Sequence, residues 1–257
     1  APWAPRGGRI DASVAVNGRW PDARSDGKAT AQGLQAGTLQ LRQAQARWQV
    51  DTASDQPLLL QADAQGLVLG AQRLDQLRYD LRGTLRQHQL ELTAALPYSP
   101  PALLEQALGL RTGAGAQVQL RGNGQWTPDG SGGGRWTGQG AQLLVGPWSA
   151  GGNGAVVSPW LEGRDLRAEV RFDAGACLAE VQAGAGQVRL ADTATLRWDE
   201  VRVDLRRAAP AFALRADIEP FLLAPLLARS QPALGWAGDL LLAARVDMKV
   251  ADKVDAD

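Results

Sequence analysis

The sequence has very few of the residues that usually carry out chemistry. His88 and Cys177 are the only histidine and the only cysteine among 257 residues. One cysteine excludes an internal disulfide, and one histidine with one cysteine cannot complete a tetrahedral zinc site. A Ser-His-Asp or Cys-His arrangement would depend on His88, which lies between two glutamines with no motif nearby. We therefore predict no catalytic residue, no metal site and no cofactor. We interpret His88 as a strand-edge residue and Cys177 as a buried thiol.

The sequence also lacks any excess of charge and any long apolar run. Its 27 basic and 27 acidic residues give a formal net charge of +0, so no basic field is available for nucleic acid. No run approaches the roughly 20 apolar residues of a membrane-spanning helix, and the opening residues APWAPRGGRI do not resemble a signal peptide. The apolar-polar alternation is still running in the closing residues DMKVADKVDAD. We therefore expect a segment of a longer protein, with any targeting signal or membrane anchor outside it.

Alternation of apolar and polar residues is the main positive signal. Leu77, Tyr79 and Leu81 share one phase, which reverses after a corner at Gln87. Similar runs recur along the chain, separated about every 8–12 residues by turns such as NGRWPDARSDG, TPDGSGGG, SAGGNG and QAGAGQ. Period-2 alternation of this kind is typical of antiparallel strands with one buried face. The pattern predicts an all-β fold of about sixteen strands.

Two segments interrupt the alternation. SPPALLEQALGLRTG begins with prolines and spaces its leucines as a helix does, and EPFLLAPLLARSQP is similar, with Pro225 inside it. We predict short helices near 100–110 and 220–230. No change of composition marks a domain boundary, so we predict one continuous β unit over 1–257.

An antiparallel sheet with one apolar face must hide that face from water. Two sheets can form a sandwich, one sheet can close into a barrel, or one can curl into a trough whose apolar lining meets something other than protein. We favour the long, curled antiparallel sheet with an apolar groove. The predicted lining residues are Val14, Val16, Trp48, Leu58, Leu60, Leu77, Tyr79, Leu81, Leu90, Leu92, Val118, Leu120, Trp136, Val170, Phe172, Trp198, Val203, Leu205 and Leu214.

The nine tryptophans stand out beside three phenylalanines and two tyrosines. They can be ordinary core aromatics, or wide rings that line an apolar binding surface. Where tryptophan stands close to glycine, as in GRWTG and LGWAG, the ring can also cover bare strand backbone. The sequence leaves these alternatives open.

Several short motifs, taken in order, resemble the TamB family of Gram-negative bacteria, within the AsmA-like superfamily. The first is a strand ending in Gly-Thr-Leu before a histidine; the second is a Trp-x-Gly strand before a Gly-x-Trp strand; the third is a Gly-Asp-Leu strand. Here these residues are Gly83, Thr84, Leu85 and His88; Trp136, Gly138, Gly146 and Trp148; and Gly238, Asp239 and Leu240. The resemblance covers most of 60–257, whereas 1–59 are similar only in texture.

The resemblance implies a periplasmic segment of an inner-membrane-anchored protein whose β-rich middle forms a trough with an apolar interior. It implies phospholipid transport between the inner and outer membranes, and outer-membrane protein assembly with a TamA-like barrel partner that contacts parts outside this segment. It also implies that phospholipid acyl chains contact the groove.

Two other functions stay open at this point. A sheet edge can pair with nascent outer-membrane proteins by β-augmentation, without lipid carriage. A β-sandwich hydrolase or carbohydrate-binding domain is a further alternative, whose test is the loss of activity on changing His88. A membrane β-barrel is disfavoured because the aromatics do not form two girdles at strand ends.

Overall fold

The computed structural model confirms the all-β prediction. The structure describes residues 5–19, 22–37, 39–51, 55–69, 72–97, 115–130, 132–148, 156, 159–174, 177–190, 193–206, 211–230, 233, 235 and 238–250. Within this part, 82% of the chain is strand and 3% is helix. Among these residues, no helix is long and apolar enough to cross a membrane.

Fourteen strands form one antiparallel sheet, and nearly every strand pairs with its neighbours in sequence. The strands are β1 Pro5–Arg19, β2 Asp22–Ala36, β3 Leu39–Asp51, β4 Leu58–Leu69, β5 Gln72–Gly83, β6 His88–Leu96, β7 Ala116–Pro128, β8 Gly134–Pro147, β9 Leu161–Asp173, β10 Cys177–Ala183, β11 Gly186–Leu190, β12 Ala194–Asp204, β13 Ala211–Leu222 and β14 Leu241–Val250. One described helix, α1, spans Ala224–Ser230. Consecutive hairpins therefore generate almost the whole topology.

The chain divides into two compact units. Unit 1 comprises 1–100, 112–121 and 145–158, and unit 2 comprises 101–111, 122–144 and 159–257. Unit 1 thus holds β1–β6, and unit 2 holds β9–β14 with α1. Each unit is described by itself below.

In unit 1, one row of irregular positions crosses four neighbouring strands. Gly33 on β2 and Gly66 on β4 have φ of 59° and 63°, a conformation that glycine adopts at little cost. Register pairs on either side place Arg42 of β3 opposite both glycines, and Asp75 of β5 opposite Gly66. Each strand reverses its apolar phase at this row. Because all four strands reverse together, their apolar residues stay on one face along their whole length.

Unit 2 has its own row of irregularities. Asp165 on β9 has φ of 53°, and β10 and β11 occupy one position between β9 and β12, separated only at Gly184 and Ala185. The register between β12 and β13 also shifts between Trp198 and Glu200. These positions again lie side by side, so β9, β10–β11 and β12 change phase at the same level.

The elements differ from the sequence predictions in three places. The segment NGRWPDARSDG was predicted as a turn, but its described residues belong to the end of β1 and the start of β2. The helix predicted near 220–230 begins only at Ala224, because β13 continues to Leu222 and pairs with β14. Pro225 therefore lies in the first turn, where proline is tolerated. The helix predicted near 100–110 lies outside the described residues.

The corner predicted at Gln87 is present. Thr84 N–H donates to the carbonyl of Gln87 at 2.8 Å, and Gln87 N–H donates to Thr84 Oγ1 at 3.1 Å. Leu85, which shares the phase of β5 in the sequence, lies in this turn rather than in a strand.

The left-handed conformation of Asp165 gives a test of the unit 2 kink. We expect Asp165→Gly to keep the free energy of unfolding within about 1 kcal/mol of wild type, because glycine adopts this φ freely. Asp165→Val should lower it by about 1–2 kcal/mol, because a β-branched side chain is disfavoured there. Urea unfolding followed by circular dichroism measures both. Asp173→Val, at the exposed end of the same strand, is the control, and an equal loss in both valine variants would show that Asp165 is not strained.

Candidate functional site: the apolar face

Directly opposite residues in an antiparallel sheet share a face, so the register of unit 1 defines its apolar face row by row. The first row runs across six strands: Val14, Gly27, Trp48, Leu60, Leu81 and Leu90. Five of these six were predicted as lining residues. The register therefore brings side chains that are far apart in sequence into one continuous apolar row.

Two rows of small residues lie next to the first row. The second row is Ala12, Ala29, Ala46, Ala62, Tyr79 and Leu92, and the third is Ile10, Ala31, Ala44, Ala64, Leu77 and Ala94. Beyond the kink, a fourth row consists of Leu34, Leu41, Leu67 and Leu74. Over β2–β4, alanines thus form a low strip between two rows that are mostly large side chains. Burial on this face raises the pKa of Tyr79, which agrees with an apolar surrounding.

The apolar face of unit 2 is built in the same way. One row contains Val170, Val181, Val203 and Phe212, and the next contains Ala168, Ala183, Val201, Leu214 and Met248. Beyond the kink follow Trp198, Ala216 and Val246. The predicted residues Val170, Val203, Leu214 and Trp198 all belong to these rows.

The remaining predicted residues lie on strands in the expected phase. Val16 pairs with Ser25, Leu58 with Gly83, and Phe172 with Leu178. Val118 and Leu120 alternate on β7 with Gln119 and Arg121, whose side chains contact Glu91. Leu205 follows β12, and its N–H donates to the carbonyl of Ala179 at 2.8 Å.

The apolar face keeps much of its surface accessible. No large side chain among the described residues is fully buried, and the fully buried apolar residues of the face are mainly alanines. On β1 the apolar residues are the most exposed, with Val14 at 54% and Val16 at 67%. In a sandwich, the facing sheet would bury these side chains. Within the described part, the face therefore retains capacity to bury further apolar surface.

Tryptophan rings cover glycines at several points. The ring of Trp48 lies where a Cβ on Gly27 would stand, and Trp126 occupies the corresponding space at Gly134. A Cβ would also stand 2.5 Å from a ring atom of Trp136 at Gly138, 2.5 Å from Trp198 at Gly186, and 3.3 Å from Trp148 at Gly115. These contacts agree with the interpretation that tryptophan covers bare backbone. The rings therefore lie against the sheet, and both residues of each pair are needed.

The two chemistry-bearing residues have structural surroundings. His88 is the first residue of β6 and is buried, with Nδ1 3.2 Å from the carbonyl oxygen of Thr84. Cys177 was predicted as a buried thiol, but it is exposed because it begins β10 at the end of a hairpin. Among the described residues, no group of three or more His, Cys, Asp or Glu is arranged to hold a metal ion.

The opposite face carries ion pairs. Asp63 and Arg78 face each other on β4 and β5 at 3.0 Å, and Arg82 pairs with Asp80 along β5 at 2.6 Å. Burial raises the pKa of Asp80, but hydrogen bonds from Arg82 and Gln61 outweigh it, so the pKa lies below its ordinary value. Exposed pairs of this kind contribute little each. Their effect is to keep this face charged and wet, in contrast to the apolar face.

Glu180 is the least exposed charge of this face. Its side chain is 4% exposed; Oε1 accepts from Arg202 at 2.5 Å, and Oε2 lies 3.8 Å from Arg206 and 3.9 Å from Arg171. A buried carboxylate costs several kcal/mol unless it is paired. The three arginines therefore stabilise unit 2 rather than form a free anion site.

A second charged cluster surrounds Glu162 on β9. Glu162 accepts from Arg164 and from Arg189, each at 2.6 Å. The hydrogen bond from Arg164 is the main reason that the pKa of Glu162 lies below its ordinary value of 4.5. The neighbouring cavity, about 390 Å³, is lined by Glu162, Arg164, Gln187, Arg189, Thr195, Arg197 and Glu219. Its arginines are already paired, Arg197 with Glu219 at 2.7 Å.

The sequence prediction missed part of the apolar face. The leucines of the fourth row were not predicted as lining, because the kink puts them out of phase with the longer runs. Gly66, followed by Leu67, is the sequence signal for this change. Val181 and Val188 were also missed, since β10 and β11 are short and rich in alanine and glycine.

No family model, curated protein or solved structure matches the chain. The fold therefore defines the class by itself: a protein built on one long antiparallel sheet with an apolar face and a charged face.

The tryptophan–glycine pairs give a second test. A Cβ added at Gly27 would collide with the ring of Trp48, so we expect Gly27→Ala to lower the free energy of unfolding by about 1–3 kcal/mol. Gly7→Ala is the matched control, because a Cβ there meets nothing within 4 Å. In the double variant Gly27→Ala with Trp48→Ala, the two losses should not add. If Gly27→Ala is as mild as Gly7→Ala, the ring does not lie on the glycine.

The Glu162 cluster gives a test of pH dependence. Because the pKa of Glu162 is lowered in the folded state, its ion pairs add stability above about pH 4.5, and this stability is lost as the pH falls through the folded pKa. We expect Glu162→Gln to be less stable than wild type at pH 7, with the difference shrinking toward pH 2–3. Urea midpoints at both pH values measure it. The uncharged neighbour variant Gln187→Ala should give the same difference at both pH values, and a constant difference for Glu162→Gln would contradict the assignment.

Proposed function

We propose that this chain is a segment of a TamB-like periplasmic protein whose apolar face carries phospholipid acyl chains between the inner and outer membranes. The observation that carries the proposal is the accessible apolar face. Its rows run across successive strands in each unit, and no large described side chain on it is fully buried. No catalytic residue is required for this activity.

The energetics favour such a surface as a path for lipid. Exposing one methylene to water costs about 0.8 kcal/mol, so a phospholipid with roughly thirty methylenes would lose more than about 20 kcal/mol in crossing water. A continuous apolar surface removes most of that barrier, because contact with the acyl chains is enough. The headgroup can stay hydrated throughout.

The shape of the rows in unit 1 suits a narrow apolar chain. The alanine strip over β2–β4 is lower than Trp48 and Leu60 on one side and Leu41 and Leu67 on the other. Trp48 and Leu41 are seven residues apart on β3, or roughly 20 Å. The strip runs across the strands, and a chain lying on it would contact each strand in turn.

The resemblance to the TamB family supports the compartment and the partners. It places the segment in the periplasm of a Gram-negative bacterium, as part of an inner-membrane-anchored protein. It also proposes a TamA-like outer-membrane protein as partner, through parts outside this segment, and a contribution to outer-membrane protein assembly.

One observation favours a second function. β1 lies at one end of the strand order, pairs with β2 and exposes all its described side chains. An exposed strand edge can accept an incoming strand by β-augmentation. A scaffold for nascent outer-membrane proteins is therefore the alternative. Photo-crosslinks from Ala15 to an unfolded outer-membrane protein, with no lipid bound to the chain, would favour it.

The lipid proposal is tested by placing charge on the apolar face. We expect Leu81→Glu with Leu90→Glu to lower the transfer of labelled phospholipid between donor and acceptor vesicles at least about tenfold, because two desolvated carboxylates would face the acyl chains. Native mass spectrometry of the chain should show bound phospholipid in wild type and less in this variant. Circular dichroism checks that the β-signal is kept.

The matched control is Gln76→Glu with Gln89→Glu. It adds the same charge to the same two strands, but at exposed positions of the opposite face. Transfer and bound lipid should stay at the wild-type level. Normal transfer by the apolar-face variant, or no lipid on the wild-type chain, would rule out the lipid function.

A further inference from the structure

β14 presents an apolar strand edge at the other end of the strand order. It pairs with β13, and within the described residues no strand lies on its other side. Leu242, Val246 and Met248 are 45%, 41% and 41% exposed. A long edge of this kind offers unpaired N–H and C=O groups, and it readily accepts another strand.

The charges of β13 and β14 alternate in sign. Arg245 pairs with Asp217 at 2.6 Å, and Asp247 pairs with Arg215 at 3.6 Å. The two pairs stand two residues apart on β14, with opposite polarity. β14 therefore presents one positive and one negative side chain on its charged face, placed symmetrically around Val246.

From this arrangement we propose that two copies of the chain associate through β14, antiparallel, with Val246 opposite Val246 of the second copy. In that register Arg245 faces Asp247 of the second copy, and Asp247 faces its Arg245. The row across the contact becomes Arg215, Asp247, Arg245 of the second copy and Asp217 of the second copy. Signs alternate over all four strands, which favours cross-strand pairing.

The apolar face fits the same register. Ala244 would lie opposite Met248 of the second copy, so a small side chain meets a large one on both sides of the Val246 pair. The twofold axis is perpendicular to the sheet, so the apolar faces of the two copies lie on the same side. The contact is isologous and closes at two copies.

Neighbouring registers are disfavoured by charge. A shift by two residues in one direction places Asp247 against Asp247 of the second copy and Arg245 against its Lys249. The opposite shift places Arg245 against Arg245. A shift by a single residue would put apolar side chains on the charged face. Like charges directly opposite are destabilising, so the Val246-centred register is selected.

Disulfide trapping tests the register in the 257-residue chain. In a Cys177→Ala background, Val246→Cys should form a disulfide dimer under mild oxidation, because directly opposite Cα atoms in an antiparallel pair lie about 4.5–5.5 Å apart. Ala244→Cys and Met248→Cys should each stay monomeric alone, and should cross-link when the two chains are mixed. Cross-linking of Ala244→Cys alone as efficiently as Val246→Cys, or no cross-linking by Val246→Cys, would overturn the proposal.

Sedimentation velocity over a range of concentrations tests the assembly without cysteine. Wild type should show a monomer–dimer equilibrium, and Val246→Lys should raise the dissociation constant by roughly tenfold or more, because two lysines would face each other. Monomer at every concentration would overturn the proposal, as would open-ended oligomers from a β14-to-β1 contact. The outcome is independent of lipid binding, since Leu81 and Leu90 lie in unit 1.

Discussion

The constraint on which the rest of the structure depends is the agreement of strand register along the chain. A slip of one residue moves every side chain of a strand to the other face. A phase reversal inside a strand is therefore tolerated only if its neighbours reverse at the same level. In unit 1 the reversal at Gly33, Arg42, Gly66 and Asp75 is such a shared event. The apolar face exists because these reversals coincide, and a single unmatched one would divide it.

The sheet is held together differently from a protein with a packed core. Few apolar side chains are buried, so backbone ladders supply most of the long-range contacts, and the charged face adds many weak ion pairs. Tryptophan rings lie on glycines and give compact local packing without projecting from the sheet. A scaffold stabilised in this way can leave large apolar side chains accessible. Accessible apolar area is otherwise a liability, and a lipid ligand gives a physical reason for keeping it.

Alternation was enough to predict the all-β fold, the corner at Gln87 and most of the apolar residues. It failed for β2, because its apolar face is made of Gly27, Ala29 and Ala31, and because its first residues resemble a turn. The leucine run before Pro225 fits a helix or a strand equally well, and pairing with β14 decides for a strand up to Leu222. What no local pattern contains is the identity of opposite residues. The first row, from Val14 to Leu90, depends on hairpin registers that accumulate over six strands.

The shared kink of unit 1 has a consequence for how such a sheet changes over evolution. β2 and β5 point in opposite directions, and each carries the kink at the same level. If β3 and β4 were removed together, β2 could pair with β5 and both faces would stay intact. Loss of one strand alone would bring two parallel neighbours together. The sheet is therefore expected to grow or shrink by whole hairpins, so that related chains can differ in length by paired strands while keeping the same cross-section.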